Sequence, residues 1–118
     1  MKFMLLIQFD PAVWAGLSEE KRNAVFAGHL RFQELTRASG ELVGSEALAD
    51  PSNSAVVRVR NGQACVVDGP LVPADSYVCG WYVVDCESRE RAIELAALVP
   101  DAAHTSMEVR PLMTQGVD

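Results

Sequence analysis

The 118-residue sequence predicts an α+β fold of the ferredoxin-like sandwich type, with an antiparallel sheet and two helices on one face. Three observations carry this expectation. A short apolar run, Met1-Lys2-Phe3-Met4-Leu5-Leu6-Ile7, opens the chain and is broken by Asp10-Pro11. Two helix-like segments, each opened by a serine, alternate with strand-like ones. Asn61-Gly62 lies between two β-branched runs, a strong hairpin signal because both central turn positions need positive φ. The resulting order is strand, helix, hairpin strands, strand, helix, strand.

Residues 2–9 are too short for a typical helix and apolar enough for a central strand. Ser18 with Glu19 and Glu20 places a capping hydroxyl and two acids at the positive end of a helix. That helix runs to about Ser39, with Gly40 as its left-handed stop. Its expected apolar side is Val25, Phe26, His29, Leu30 and Phe32. A short strand or irregular segment follows at Leu42-Val43, then a loop at residues 50–53. Residues 55–60 and 63–67 form the hairpin, with Val57, Val59, Ala64 and Val66 on one face and Arg58 and Arg60 on the other.

Asp68-Gly69-Pro70 ends the hairpin, and residues 71–77 form a loop. Residues 78–85 read as the next strand. Ser88 opens a second helix that buries Ala92, Ile93, Ala96 and Ala97 and ends before Pro100. Residues 105–113 read as the last strand. No linker, repeat or low-complexity segment interrupts the pattern, so one domain over residues 1–118 is expected. Helices on one face leave the opposite face bare, and a two-fold homodimer packed sheet to sheet is the simplest cover for it.

Composition narrows the function classes. Forty-nine per cent of residues are apolar and 22% are charged, ordinary globular usage. A chain of this size buries roughly two thirds of its unfolded surface and needs no covalent staples. The net charge of −6 gives no general attraction to phosphate backbones or anionic lipid, so neither nucleic acid nor membrane is an expected partner. The opening apolar run ends too early for a signal peptide, and nothing approaches a membrane span. Cys65, Cys79 and Cys86 are odd in number and lack C-x-x-C spacing, so no disulfide framework or metal site is indicated and a cytoplasmic location is expected.

The candidate chemistry centres on His29, which falls on or near the buried stripe of the first helix. There it is either a core histidine satisfied by a backbone carbonyl or a base with a carboxylate nearby. Asp68 shares the parity of Ala64 and Val66, so its side chain would face the helix-covered side and meet His29. The same residue in Asp-Gly-Pro also suits an Asx-turn, and these alternatives stand level. His104 reads as a solvated loop histidine. No phosphate loop, nucleophile elbow or dinucleotide fingerprint appears, so no cofactor is expected.

Four ordered landmarks resemble the YCII-related family: the opening seven residues, Val67-Asp68-Gly69-Pro70-Leu71, Gly80-Trp81-Tyr82-Val83-Val84-Asp85 and Met107-Glu108-Val109-Arg110-Pro111-Leu112. The nearest branch is the one named for its D-G-P-F motif. The resemblance implies a dimeric ferredoxin-like α+β barrel. It also matches His29, in Gly28-His29-Leu30, to a first-helix histidine of a proposed His–Asp active site, and Asp68 to the aspartate of the motif. One relative resembles an enzyme that eliminates chloride from a chlorinated muconate-type acid, and the branch is often linked to extracytoplasmic-function sigma factors. The chain departs from the pattern after the motif, where Leu71-Val72-Pro73-Ala74-Asp75-Ser76 replaces a stretch with lysine and glutamates.

Two expectations follow. One is a cofactor-independent lyase or isomerase on a small organic acid, with His29 moving a proton, Asp68 orienting it, and Arg58 or Arg60 pairing the substrate carboxylate from a dimer mate. The alternative is a non-catalytic dimeric module that binds a ligand or acts as a sigma-factor-associated accessory.

Overall fold

The computed structural model describes residues 1–113. Its elements are β1 (Lys2–Phe9), α1 (Pro11–Ala15), α2 (Glu19–Ala38), β2 (Leu42–Ala47), β3 (Ala55–Arg60), β4 (Gln63–Asp68), β5 (Tyr77–Asp85), α3 (Arg89–Leu98) and β6 (Ser106–Pro111), with single 3-10 turns at Pro51–Asn53 and Pro100–Ala103. Four strands form one antiparallel sheet in the order β2-β5-β1-β6, which is the ferredoxin-like arrangement.

Alternation in β1 sends Phe3, Leu5 and Ile7 to the helix side, where they are buried, and Met4 and Leu6 to the open side. Tyr82 and Val84 of β5 pair with Leu5 and Phe3 and share their face. Phe32 of α2 and Ala92, Leu95 and Ala96 of α3 complete one continuous core with them.

Both long helices begin as their capping serines require. Ser18 Oγ accepts from the Lys21 amide at 3.2 Å, and Ser88 Oγ accepts from the Arg91 amide at 3.1 Å. Gly40, at φ +78°, stops α2: its amide donates to the Arg37 carbonyl and the next amide, of Glu41, to that of Thr36. Those two bonds satisfy carbonyls that would otherwise be orphaned at the helix end. No helix among the described residues is long and apolar enough to cross a membrane.

The structure corrects the sequence reading in three places. The hairpin lies outside the main sheet: β3 pairs with β4 alone, and β2, expected only as a short or irregular segment, fills the sheet position beside β5. The Asn61-Gly62 turn forms as predicted, with positive φ at both residues. But its two strands are exposed on nearly every side chain, valines included, because no layer covers them.

The Cα radius of gyration, 16.6 Å, exceeds the roughly 13.5 Å of a compact chain of this length, as a protruding ribbon requires. Secondly, Asp10-Pro11 does more than break β1: Asp10 caps α1 through the Ala12 amide, with Pro11 in the first turn. Thirdly, the buried stripes are rotated from those expected. In α2 they hold Val25, Phe32 and Thr36 while Phe26 and Leu30 are exposed, and in α3 Leu95 is buried in place of Ile93 and Ala97.

The start of β2 is tied to α3 by a two-pronged ion pair, Arg91 Nε to Glu41 Oε2 and Arg91 Nη2 to Glu41 Oε1, each 2.9 Å. The guanidinium holds the Glu41 carboxyl below its ordinary range, outweighing the opposing effect of burial. A carboxyl depressed in the folded state stabilises the fold above its unfolded pKa, and that contribution disappears as pH falls through the folded pKa. Urea unfolding at a series of pH values is therefore expected to show a steeper loss of stability below about pH 4 in the wild type than in Glu41→Gln. At neutral pH the variant is expected to be the less stable of the two.

Candidate functional site

α2 docks on β5 through two buried rings, Phe32 and Tyr82, whose centroids lie 4.6 Å apart. His29 stands almost one turn before Phe32, so the same docking lays its imidazole beside the Tyr82 ring, with centroids 5.9 Å apart and planes inclined by 29°. Its two nitrogens are both engaged: Nδ1 lies 2.8 Å from the Tyr82 hydroxyl and Nε2 lies 2.5 Å from Asp101 Oδ1. Gln33, one turn after His29 on α2, donates from Nε2 to the same hydroxyl at 3.2 Å. The side chains of His29 and Asp101 are 22% and 14% exposed, so the pair is largely withdrawn from water yet reachable. They border a cleft of about 260 Å³ closed on its other sides by Ser45, Glu46 and Cys79.

The hydrogen bonds define two proton arrangements. With a neutral ring, Nε2–H donates to the Asp101 carboxylate and Nδ1 accepts from the Tyr82 O–H. With a protonated ring, both nitrogens donate. The Tyr82 oxygen then accepts from His29 and Gln33 together, and its own hydrogen must turn to another acceptor. One carboxylate, one imidazole and one phenol thus form a chain along which a proton can be drawn from or delivered to the cleft.

Burial, reinforced by the Asp101 charge, raises the Tyr82 pKa, while the Gln33 hydrogen bond and the nearby Arg37 guanidinium oppose it. The phenol therefore keeps its proton at neutral pH. The Cys79 thiol is pushed up mainly by burial and further by Asp101, which disfavours a thiolate nucleophile in this cleft. Among the described residues no cluster of histidine, cysteine and acidic side chains is arranged to hold a metal ion.

Of the residues singled out by sequence, His29 stands in this site and Asp68 does not. Asp68 is the last residue of β4, exposed, and its carboxylate has no hydrogen-bond partner among the described residues. The parity that aims it at His29 requires β4 to lie in the main sheet beneath α2, and β4 pairs only with β3. The Asx-turn is absent as well. Arg58 and Arg60 are exposed on the same ribbon and do not line the cleft. His104 closes the turn Pro100–Ala103 through its backbone.

Sequence reasoning misses three members of the site: Asp101, Tyr82 and Gln33. Two have readable signals, since Tyr82 alternates in phase with Val84 and Gln33 lies four residues from His29. Asp101 has none, because its approach depends on how the α3–β6 connection folds back over α2.

The family model of the YCII-related domain matches residues 1–115 of the chain. A Rhizobium meliloti (strain 1021) protein, described as uncharacterised, is 28% identical over 114 residues, which span 95% of this chain and 92% of that one.

Asp101 as acceptor at Nε2 and Tyr82 as donor to Nδ1 together fix one tautomer of the neutral ring. Nitrogen-15 NMR of ring-labelled protein is expected to find His29 protonated at Nε2 and bare at Nδ1. Asp101→Ala combined with Tyr82→Phe is expected to give a mixture of tautomers.

Proposed function

The chain belongs to the YCII-related domain family, and we propose that it is a cofactor-independent lyase or isomerase that moves a proton on a small organic acid at the Asp101–His29–Tyr82 chain. The observation that carries this reading is a histidine held at both nitrogens, by a carboxylate and by a phenol, at the wall of an open cleft. Asp101 accepts the Nε2–H of His29 and so orients the imidazole. His29 stores the proton, and Tyr82 exchanges it with the substrate while Gln33 holds the phenol oxygen in place. Arg58 and Arg60 pair a substrate carboxylate only when the ribbon of a second copy brings them to the cleft.

Asp68-Gly69-Pro70 supports assigning the chain to the D-G-P-F branch, with Leu71 where that motif has phenylalanine. Three free cysteines suit a reducing compartment, and we assign the cytoplasm. The open sheet face carries Met4, Leu6, Trp81 and Val83 at its centre and supports a homodimer packed through it.

A second reading, a non-catalytic ligand-binding or sigma-factor-associated accessory module, draws on one feature of the same site. His29 already has a partner at each nitrogen, as a purely structural histidine does.

Exchange of substrate hydrogen with deuterated water, screened over small organic acids by mass spectrometry, separates the two. On the catalytic reading the wild type exchanges at least one of them. His29→Asn and Asp101→Asn then lose about 10²–10⁴-fold in rate, and Asp68→Asn keeps the wild-type rate. A wild type that binds such acids without exchange, with His29→Asn altering only stability, selects the accessory module.

Sedimentation equilibrium tests the assembly: the wild type is expected as a dimer, and Trp81→Glu, by placing a charge on the open face, as a folded monomer.

A further inference from the structure

Gly28 immediately precedes His29, and Pro100 immediately precedes Asp101. A side chain at Gly28 would begin 2.9 Å from Pro100 Cγ, 3.0 Å from its Cβ and 3.4 Å from its Cδ. Carbon atoms in ordinary contact stand roughly 3.5–4.0 Å apart. The proline ring is closed onto its own backbone, so it cannot swing aside as a long side chain would.

The residues on either side of the turn Pro100–Ala103 leave it little freedom. Val99 is buried. The Asp101 carbonyl accepts from the amides of His104 and Thr105, and Thr105 Oγ1 donates to the Gln8 carbonyl of β1 at 2.6 Å. The turn is thus held between β1 and α2, and its distance from α2 is set where Pro100 meets Gly28.

We propose that Gly28 is a positioning residue: the absence of a Cβ there lets Pro100 seat against α2 and so brings Asp101 to His29. The geometric claim needs only the observed contacts, whereas its importance for turnover rests on the catalytic reading above. A β-carbon at residue 28 separates the turn from α2 by several tenths of an ångström, and the neighbouring Asp101–His29 bond, only 2.5 Å long, is the polar contact that lengthens.

The test is proton NMR of ring-labelled protein, following the Nε2–H of His29, assigned by its loss in His29→Gln. In the wild type this proton is expected far downfield and slow to exchange with water, and Asp101→Ala is expected to abolish the signal. Gly28→Ala is expected to move it upfield and speed its exchange. Gly28→Ala with Pro100→Gly, which removes all three close atoms, is expected to return it to the position found in Pro100→Gly alone.

An unmoved signal in folded Gly28→Ala overturns the proposal, and so does a moved signal that the double variant fails to restore. Should Gly28→Ala not fold, a double variant that folds and shows the proton supports the proposal, and one that also fails to fold overturns it. Deuterium exchange into substrate is followed on the same samples. Its absence in the wild type defeats the catalytic reading, while the role of Gly28 in seating the turn is still decided by the NMR signal alone.

Discussion

The contact between Phe32 and Tyr82 is the hinge on which the arrangement depends. Both residues are almost fully buried, 3% exposed each, and they are contributed by different layers, one by α2 and one by the strand beneath it. Aromatic pairs at this separation add about 0.5–1.5 kcal/mol beyond the burial of their area. The larger consequence is geometric. Fixing one residue of a helix against one residue of a strand fixes the rotation of that helix, and with it the directions of every residue one turn away. His29 and Gln33 acquire their common target, the Tyr82 hydroxyl, from that rotation. Phe26 and Leu30 are turned outward by the same rotation.

Local signals explain why the frame is legible in the sequence and the site only half so. Ser18, Gly40, Ser88 and Asn61-Gly62 act through their own backbones, and each ends or begins an element where the residue type requires it. Strand alternation likewise places Phe3, Leu5 and Ile7. Hydropathy misplaces the stripe of α2 because Thr36 is buried by bonding its hydroxyl to the Phe32 carbonyl at 2.7 Å, which an apolar pattern does not reveal. The hairpin's position escapes the sequence because its strands look no less β-like than those of the sheet. Valine favours a strand without saying which sheet will receive it.

The carboxylate of the site shows the same limit most clearly. Asp68 ends a strand and Asp101 lies in the turn after a helix, and each stands next to a glycine or a proline. Parity along a strand favours the first only if that strand lies under the helix. The second reaches His29 across 72 positions of sequence, through a turn whose placement depends on the packed core. His29 itself is identifiable because a titratable ring on a half-buried helix face demands partners. Which partners answer that demand is a tertiary matter.

The uncovered ribbon bears on how such a chain can diversify. Its strands bury almost nothing, so their side chains contribute little to the stability of the sheet and helices. Substitutions there, and in the segment 71–76 that follows, face few packing constraints, whereas the residues around His29 are locked into the core on two sides. The arm is free to vary its surface, whereas the residues that bring Asp101, His29 and Tyr82 together are fixed by the packing around them. Sequence drift in the arm therefore reshapes exposed surface while leaving the core between sheet and helices untouched.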